Sequence, residues 1–97
     1  MSEIERHNLP HLTVAVVIEH EGRYLMVEER AADGATVFNQ PAGHVESGET
    51  LIEAALRETL EETAWEVELE AMLGIYSYST ATTCYQRVCF TATPVRQ

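Results

Sequence analysis

The 97-residue chain contains no lysine. Its six basic residues are all arginine, they face sixteen acids, and the net charge is −10. A protein that binds nucleic acid by displacing counterions needs a basic surface, so a role on a nucleic-acid polymer is disfavoured. Anchoring to an anionic membrane is disfavoured for the same reason. Long hydrophobic runs are missing too: the longest, Val14 to Ile18, is far too short to span a bilayer. The N-terminal MSEIERHNLP has neither the cationic start nor the apolar segment of a secretory signal. Cysteine is scarce. Cys84 and Cys89 stand five apart in a stretch that reads as strand, and that odd spacing puts them on opposite faces, where an intrastrand bridge is disfavoured. Without a signal, the expected setting is the reducing cytoplasm. Repeats and low-complexity segments are absent.

What remains is an ordinary globular composition, 45% hydrophobic, with room for a single core. One domain is therefore expected over residues 1–97. Residues 1–10 read as a polar lead-in arm ending at Pro10. Thr13 to Ile18 is β-branched and nearly all apolar, the signature of a strand buried on both faces. His20-Glu21-Gly22-Arg23 supplies a turn, and Tyr24 to Val27 resumes the apolar run, so the two runs read as a hairpin. Ala31 to Ala35 is a loop around Asp33-Gly34. Val37 to Asn39 is extended, and Pro41 keeps Gln40 out of the helical basin.

The periodicity then changes. Thr50 has the N-cap position with Glu53 three residues later, and Leu51 through Thr63 is rich in helix formers. Ile52, Ala55, Leu56, Thr59, Leu60 and Thr63 form one stripe on the wheel. Trp65 to Leu69, Leu73 to Tyr78 and Tyr85 to Thr93 read as three further strands, the last two joined by a Ser/Thr-rich segment. The expected fold class is α/β (α+β): a mixed β-sheet with one loop–helix unit. A single helix covers only one face of such a sheet, so a second, C-terminal helix is expected beyond Gln97 and is absent from this chain.

Nine of the sixteen acids lie between Glu46 and Glu70. Glu58, Glu61 and Glu62 share one helix face, and like charges at that spacing cost a few tenths of a kcal/mol per pair. Two readings account for them: a solvated acidic face, or a bound divalent cation. Oxygen-only carboxylate ligands suit Mg²⁺ or Mn²⁺ rather than zinc. The context upstream favours the cation. Gly43 is followed after five residues by Glu49, after seven more by Arg57-Glu58, and then by Glu61-Glu62, Ala64 and Trp65.

This spacing resembles the Nudix box of the MutT/Nudix hydrolases, here residues 43–65, and the segment FNQPAGHVESGET is similar to the NudJ-like phosphatase branch. Thr59 and Ala64 depart from the pattern, which has an aliphatic residue and a glycine there. The resemblance implies a Mg²⁺-dependent hydrolase that cleaves small diphosphates by water attack on phosphorus. Substrates would be nucleoside di- and triphosphates, hydroxymethylpyrimidine diphosphate or thiamine diphosphate; the alternatives are an ADP-ribose or oxidised-nucleotide pyrophosphatase, or a nucleotide-binding domain without turnover. It further implies metal ligation by Gly43, Glu58, Glu61 and Glu62, with Glu58 or Glu61 accepting the proton from water. Arg57 would pair with Glu49 and so hold the loop against the helix. Of the remaining arginines Arg23, Arg30 and Arg87, the mid-strand Arg87 is the preferred contact to substrate. Phe38, Tyr76, Tyr78 and Tyr85 are candidates to stack on a ring, and His44 is near enough to the box to reach the site. A homodimer covering the bare sheet face is a further possibility.

Overall fold

The computed structural model describes residues 9–97; the rest of the expected lead-in arm lies outside them. The chain order is β1 (His11–His20), β2 (Arg23–Tyr24), β3 (Val27–Arg30), β4 (Thr36–Asn39), β5 (Ala42–His44), α1 (Leu51–Thr63), β6 (Glu66–Ser79) and β7 (Cys84–Arg96). The main sheet is mixed, in the order β2-β1-β7-β6, with β5 also on β1. β1 runs parallel to β7 from His11 opposite Tyr85 to Ile18 opposite Ala92. β6 runs antiparallel to β7, and β5 pairs antiparallel with Thr13 to Ala15 of β1. β3 and β4 form a separate hairpin. The α+β class expected from the sequence is the class observed.

The core follows from the apolar runs. Val14, Val16 and Ile18 of β1 and Val88, Phe90 and Ala92 of β7 meet Ala54 and Ala55 of α1, with Leu25, Val45, Leu51, Val67 and Leu69 around them. β1 is buried on both faces as expected, since Thr13 and Ala15 are also covered. Cys84 and Cys89 are free thiols. No helix among the described residues is long and apolar enough to cross a membrane.

Three expectations need correction. The β1–β2 turn forms as read, with Glu21 and Gly22 both at positive φ (52° and 76°), the geometry of a tight two-residue hairpin. Pairing ends at Tyr24, however, and Val27 belongs to the second hairpin instead. The two strands read at 65–69 and 73–78 are one strand, β6. Register shifts at Leu69/Ala71 and Met72/Gly74 break its alternation without ending its pairing, which is what bulges do. The helix stripe is right at Ala55 and Thr59 and wrong at its large residues. The buried face is Ala54, Ala55 and Thr59, whereas Ile52 is 56% and Leu60 48% exposed. Small residues on that face let α1 lie close to the sheet.

Candidate active site

The loop from Gly43 to Thr50 and the first turns of α1 form one hydrogen-bonded unit. Thr50 caps the helix reciprocally: Glu53 N–H donates to Thr50 Oγ1 at 3.1 Å and Thr50 N–H to Glu53 Oε1 at 3.0 Å. Gly48 turns the chain into the cap at φ 82°, a conformation open to glycine. Glu49 then accepts from three directions. Arg57 Nε donates to Oε2 at 2.6 Å, Arg57 Nη2 to Oε1 at 3.0 Å, and the Glu46 amide to Oε1 at 3.0 Å. This fork holds the Glu49 carboxyl below its ordinary pKa, the Arg57 hydrogen bond being the main cause.

Arg57 is the hub. Besides Glu49, its Nη1 donates to Glu58 Oε1 at 2.8 Å and to Glu61 Oε2 at 3.3 Å, and its Nη2 donates to the His44 carbonyl at 3.0 Å. Glu46 lies 3.5 Å from Nη1. The hydrogen bonds from Glu49 and Glu58 raise the guanidinium's pKa further above its usual range. The expected Arg57–Glu49 pair is present, and it ties loop to helix.

Glu58 reaches the glycine that opens the box. Its carboxylate lies so close to the Gly43 Cα that a Cβ there would collide with it. Glu62, one turn on, stands beside Glu58. Burial first, then the adjoining Glu58 carboxyl, push Glu62 up to about 7; the charge of Glu29 acts in the same direction and the Ala42 amide opposes it. Glu61 is placed differently from expectation: 60% exposed, its carboxylate turned to Arg57, the nearest cation. Among the described residues, no three carboxylate, imidazole or thiolate groups converge on one point. The remaining geometry fits a hard divalent ion nonetheless. Two adjoining carboxyls and the Gly43 backbone share one notch. Moreover, the last turn of α1 carries no basic group, so Glu62 sits at the negative end of the helix without a cation from that turn.

A cavity of about 380 Å³ adjoins this notch and shares Gly43 and His44 with it; Thr13, Asn39, Tyr78, Tyr85 and Arg87 are among its walls. Arg87 therefore stands at the cavity, whereas Arg23 and Arg30 do not. Of the aromatic candidates, Tyr78 and Tyr85 line it and Phe38 and Tyr76 do not. Sequence reasoning missed Glu29, which joins the cavity from β3 and accepts from Asn39 Nδ2 at 3.3 Å; no local pattern marks it. A larger cavity of about 500 Å³ lies toward the other end of β1, walled by Ile18, Leu25, Trp65 and Pro94 among others. It contains none of the box carboxylates.

A family model described as NUDIX domain matches residues 9–95. The phosphatase NudJ of Escherichia coli K12 is 45% identical over 69 residues, which is 71% of this chain and 44% of that protein. The NudJ phosphatase of Shigella flexneri matches to the same extent. Among solved structures, a NUDIX hydrolase from Nitrosomonas europaea superposes with a TM-score of 0.84 at 45% identity, over 90% of this chain and 60% of that one. A pyrophosphohydrolase from Bacillus subtilis gives 0.75 at 28% identity, over 87% of this chain and 51% of that one. The chain thus spans less than half the length of the curated relatives it matches.

Proposed function

Because the chain belongs to the NUDIX domain family, we propose that residues 1–97 form one such domain, with its box at 43–65, that hydrolyses phosphoric anhydride bonds of small diphosphates. The observation that carries this reading is the notch in which the Glu58 carboxylate abuts Gly43 and Glu62 stands alongside. Glu58, Glu62 and the Gly43 carbonyl would hold the divalent ion, Mg²⁺ or Mn²⁺, with Glu61 joining them on leaving Arg57. When bound, such an ion neutralises phosphate oxygens and lowers the pKa of a coordinated water. Arg57 keeps the loop and the carboxylates in register without needing to touch substrate. In the reaction, water oxygen bonds to phosphorus and the anhydride P–O bond breaks, its electron pair leaving with the departing phosphate. The proton released by water passes to Glu58 or Glu61. Arg87 stands on the substrate side, in the cavity that continues from Gly43.

The name of the NudJ relatives, phosphatase, supports a phosphatase reading of this chain, which we place in the cytoplasm. Hydroxymethylpyrimidine diphosphate, thiamine diphosphate and nucleoside di- and triphosphates are the substrates to try first. Phosphate release from that panel, with ADP-ribose included, tests the reading. Turnover of at least one member that requires Mg²⁺ and falls by orders of magnitude in Glu61→Gln is the expected result. A chain that binds nucleotide but releases no phosphate from any of them would be a binding domain rather than a hydrolase.

A further inference from the structure

The cations of this acidic chain are unequally employed. Arg57 serves Glu46, Glu49, Glu58 and Glu61, and Arg96 Nε donates to Glu66 at 2.8 Å. Arg87 has no carboxylate partner among the described residues, although it is half-buried on β7. Its Nε is buried with no hydrogen-bond partner. Its other contacts are to one side chain: Nη2 donates weakly to the Tyr78 hydroxyl at 3.4 Å, and Cζ lies 5.5 Å from the Tyr78 ring centroid. A partly desolvated guanidinium without an anion is a cost to the fold, and a chain of net charge −10 has no shortage of carboxylates that might have relieved it.

Its surroundings are built to hold it in place. Tyr78 stacks on Tyr85 with centroids 4.8 Å apart and an interplanar angle of 11°. Tyr85 meets His11 at 5.4 Å, and His11 meets His44, with Nδ1 and Nε2 3.4 Å apart. The rings pack on one another, so they form a wall that fixes Arg87 rather than an open shelf for a base. The one carboxylate on this cavity, Glu29, is engaged by Asn39. Gly43 belongs both to the cavity and to the notch under Glu58, so the two are continuous.

We infer that Arg87 is a specificity-determining residue that receives the free terminal phosphate of the substrate. The inference rests on the hydrolase reading above and narrows it: diphosphates and triphosphates with a free phosphate end are preferred to diphosphates capped at both ends. In a capped substrate that phosphate is a diester, with one charge fewer and a sugar on an oxygen the guanidinium fork would otherwise take, so the bidentate contact is weakened.

The test has a binding arm and a kinetic arm. In EDTA, inorganic phosphate is titrated into wild type, Arg87→Gln and Arg87→Lys, each checked for folding by circular dichroism. Affinity falls about tenfold to a hundredfold in Arg87→Gln and less in Arg87→Lys, which keeps the charge but not the fork. With Mg²⁺, kcat/KM for ADP falls by a similar factor in Arg87→Gln through KM, while that for ADP-ribose falls by a markedly smaller factor, so the preference narrows. Should Arg87→Gln fail to fold, Arg87→Lys carries the comparison. Phosphate binding equal in wild type and variant, no phosphate binding by wild type, or an equal loss on both nucleotides would overturn the inference. Arg87-dependent phosphate binding without turnover of either nucleotide upholds the anion site and counts against the hydrolase reading alone.

Discussion

Burial and the neighbouring Glu58 carboxyl push Glu62 up to about 7 from an ordinary value of 4.5. Between those values the folded chain holds a proton that the unfolded chain has released, so the stability tied to this group declines as pH rises through that window. Glu49 has the opposite sign: its carboxyl is lowered by Arg57, so its contribution is present above the ordinary value and is lost as pH falls. In EDTA, the melting temperature should therefore drop between pH 5.5 and 8, and the drop should be smaller in Glu62→Gln. Adding Mg²⁺ should raise the melting temperature more at pH 8 than at pH 5.5, because the ion must displace that proton. Ala64 carries a second single-residue prediction. It ends α1 at φ 62°, ψ 13°, donating its N–H to the Leu60 carbonyl at 2.9 Å. Alanine pays for that left-handed conformation, so Ala64→Gly should stabilise the fold by about 0.5–1 kcal/mol once the extra freedom of the unfolded chain is deducted. A chemical-denaturation midpoint measures it. These residues were legible in the sequence because they act locally: Glu49 and Arg57 are eight apart, and the helix end follows one residue after Thr63. Glu29 was not legible, because its relation to Glu62 depends on where the β3–β4 hairpin lies.

At the level of elements, α1 shows why apolar periodicity alone aims a helix imperfectly. Large side chains dominate the pattern, and they pointed to Ile52, Leu56 and Leu60. Of that stripe the fold buries only the small members, Ala55 and Thr59, and adds Ala54, with Thr59 donating from Oγ1 to the Ala55 carbonyl at 2.8 Å. The close approach that sets Glu58 against Gly43 calls for small residues on that face. Ile52→Lys should thus shift stability by no more than about 0.5 kcal/mol. Ala54→Leu should cost about 1–3 kcal/mol by overpacking and should weaken Mg²⁺ binding as the helix is pushed off the loop. Equal effects of the two substitutions in urea denaturation would restore the stripe read from the sequence. β6 teaches the same lesson for strands: Glu70 to Leu73 breaks the alternation that a sequence reader follows, while the pairing to β7 continues through the bulges.

Across the whole molecule, the sheet does what local spacing cannot. It brings His44 of β5, Tyr78 of β6 and Tyr85 and Arg87 of β7 to one cavity, with His11 of β1 packed on His44 and Tyr85, although these residues are distant in the chain. The parallel register of β1 on β7 sets Thr13 beside Arg87, and the pairing of β5 sets His44 beside Thr13. The sequence marked Arg87 as a cation within a strand that is otherwise mostly apolar, but its company waited on that register. The net charge of −10 makes cations part of the account at this scale as well, since an anionic substrate meets repulsion until they screen it. The central claim is that the carboxylates gathered at Gly43 form a divalent-metal hydrolytic site. Its most direct test is the initial rate of phosphate release from the best diphosphate substrate, with and without Mg²⁺, in wild type and in Glu58→Gln. The account predicts a rate that needs Mg²⁺ and falls by about 10²-fold or more in the variant. A rate that is indifferent to Mg²⁺, or that survives Glu58→Gln unchanged, would contradict it.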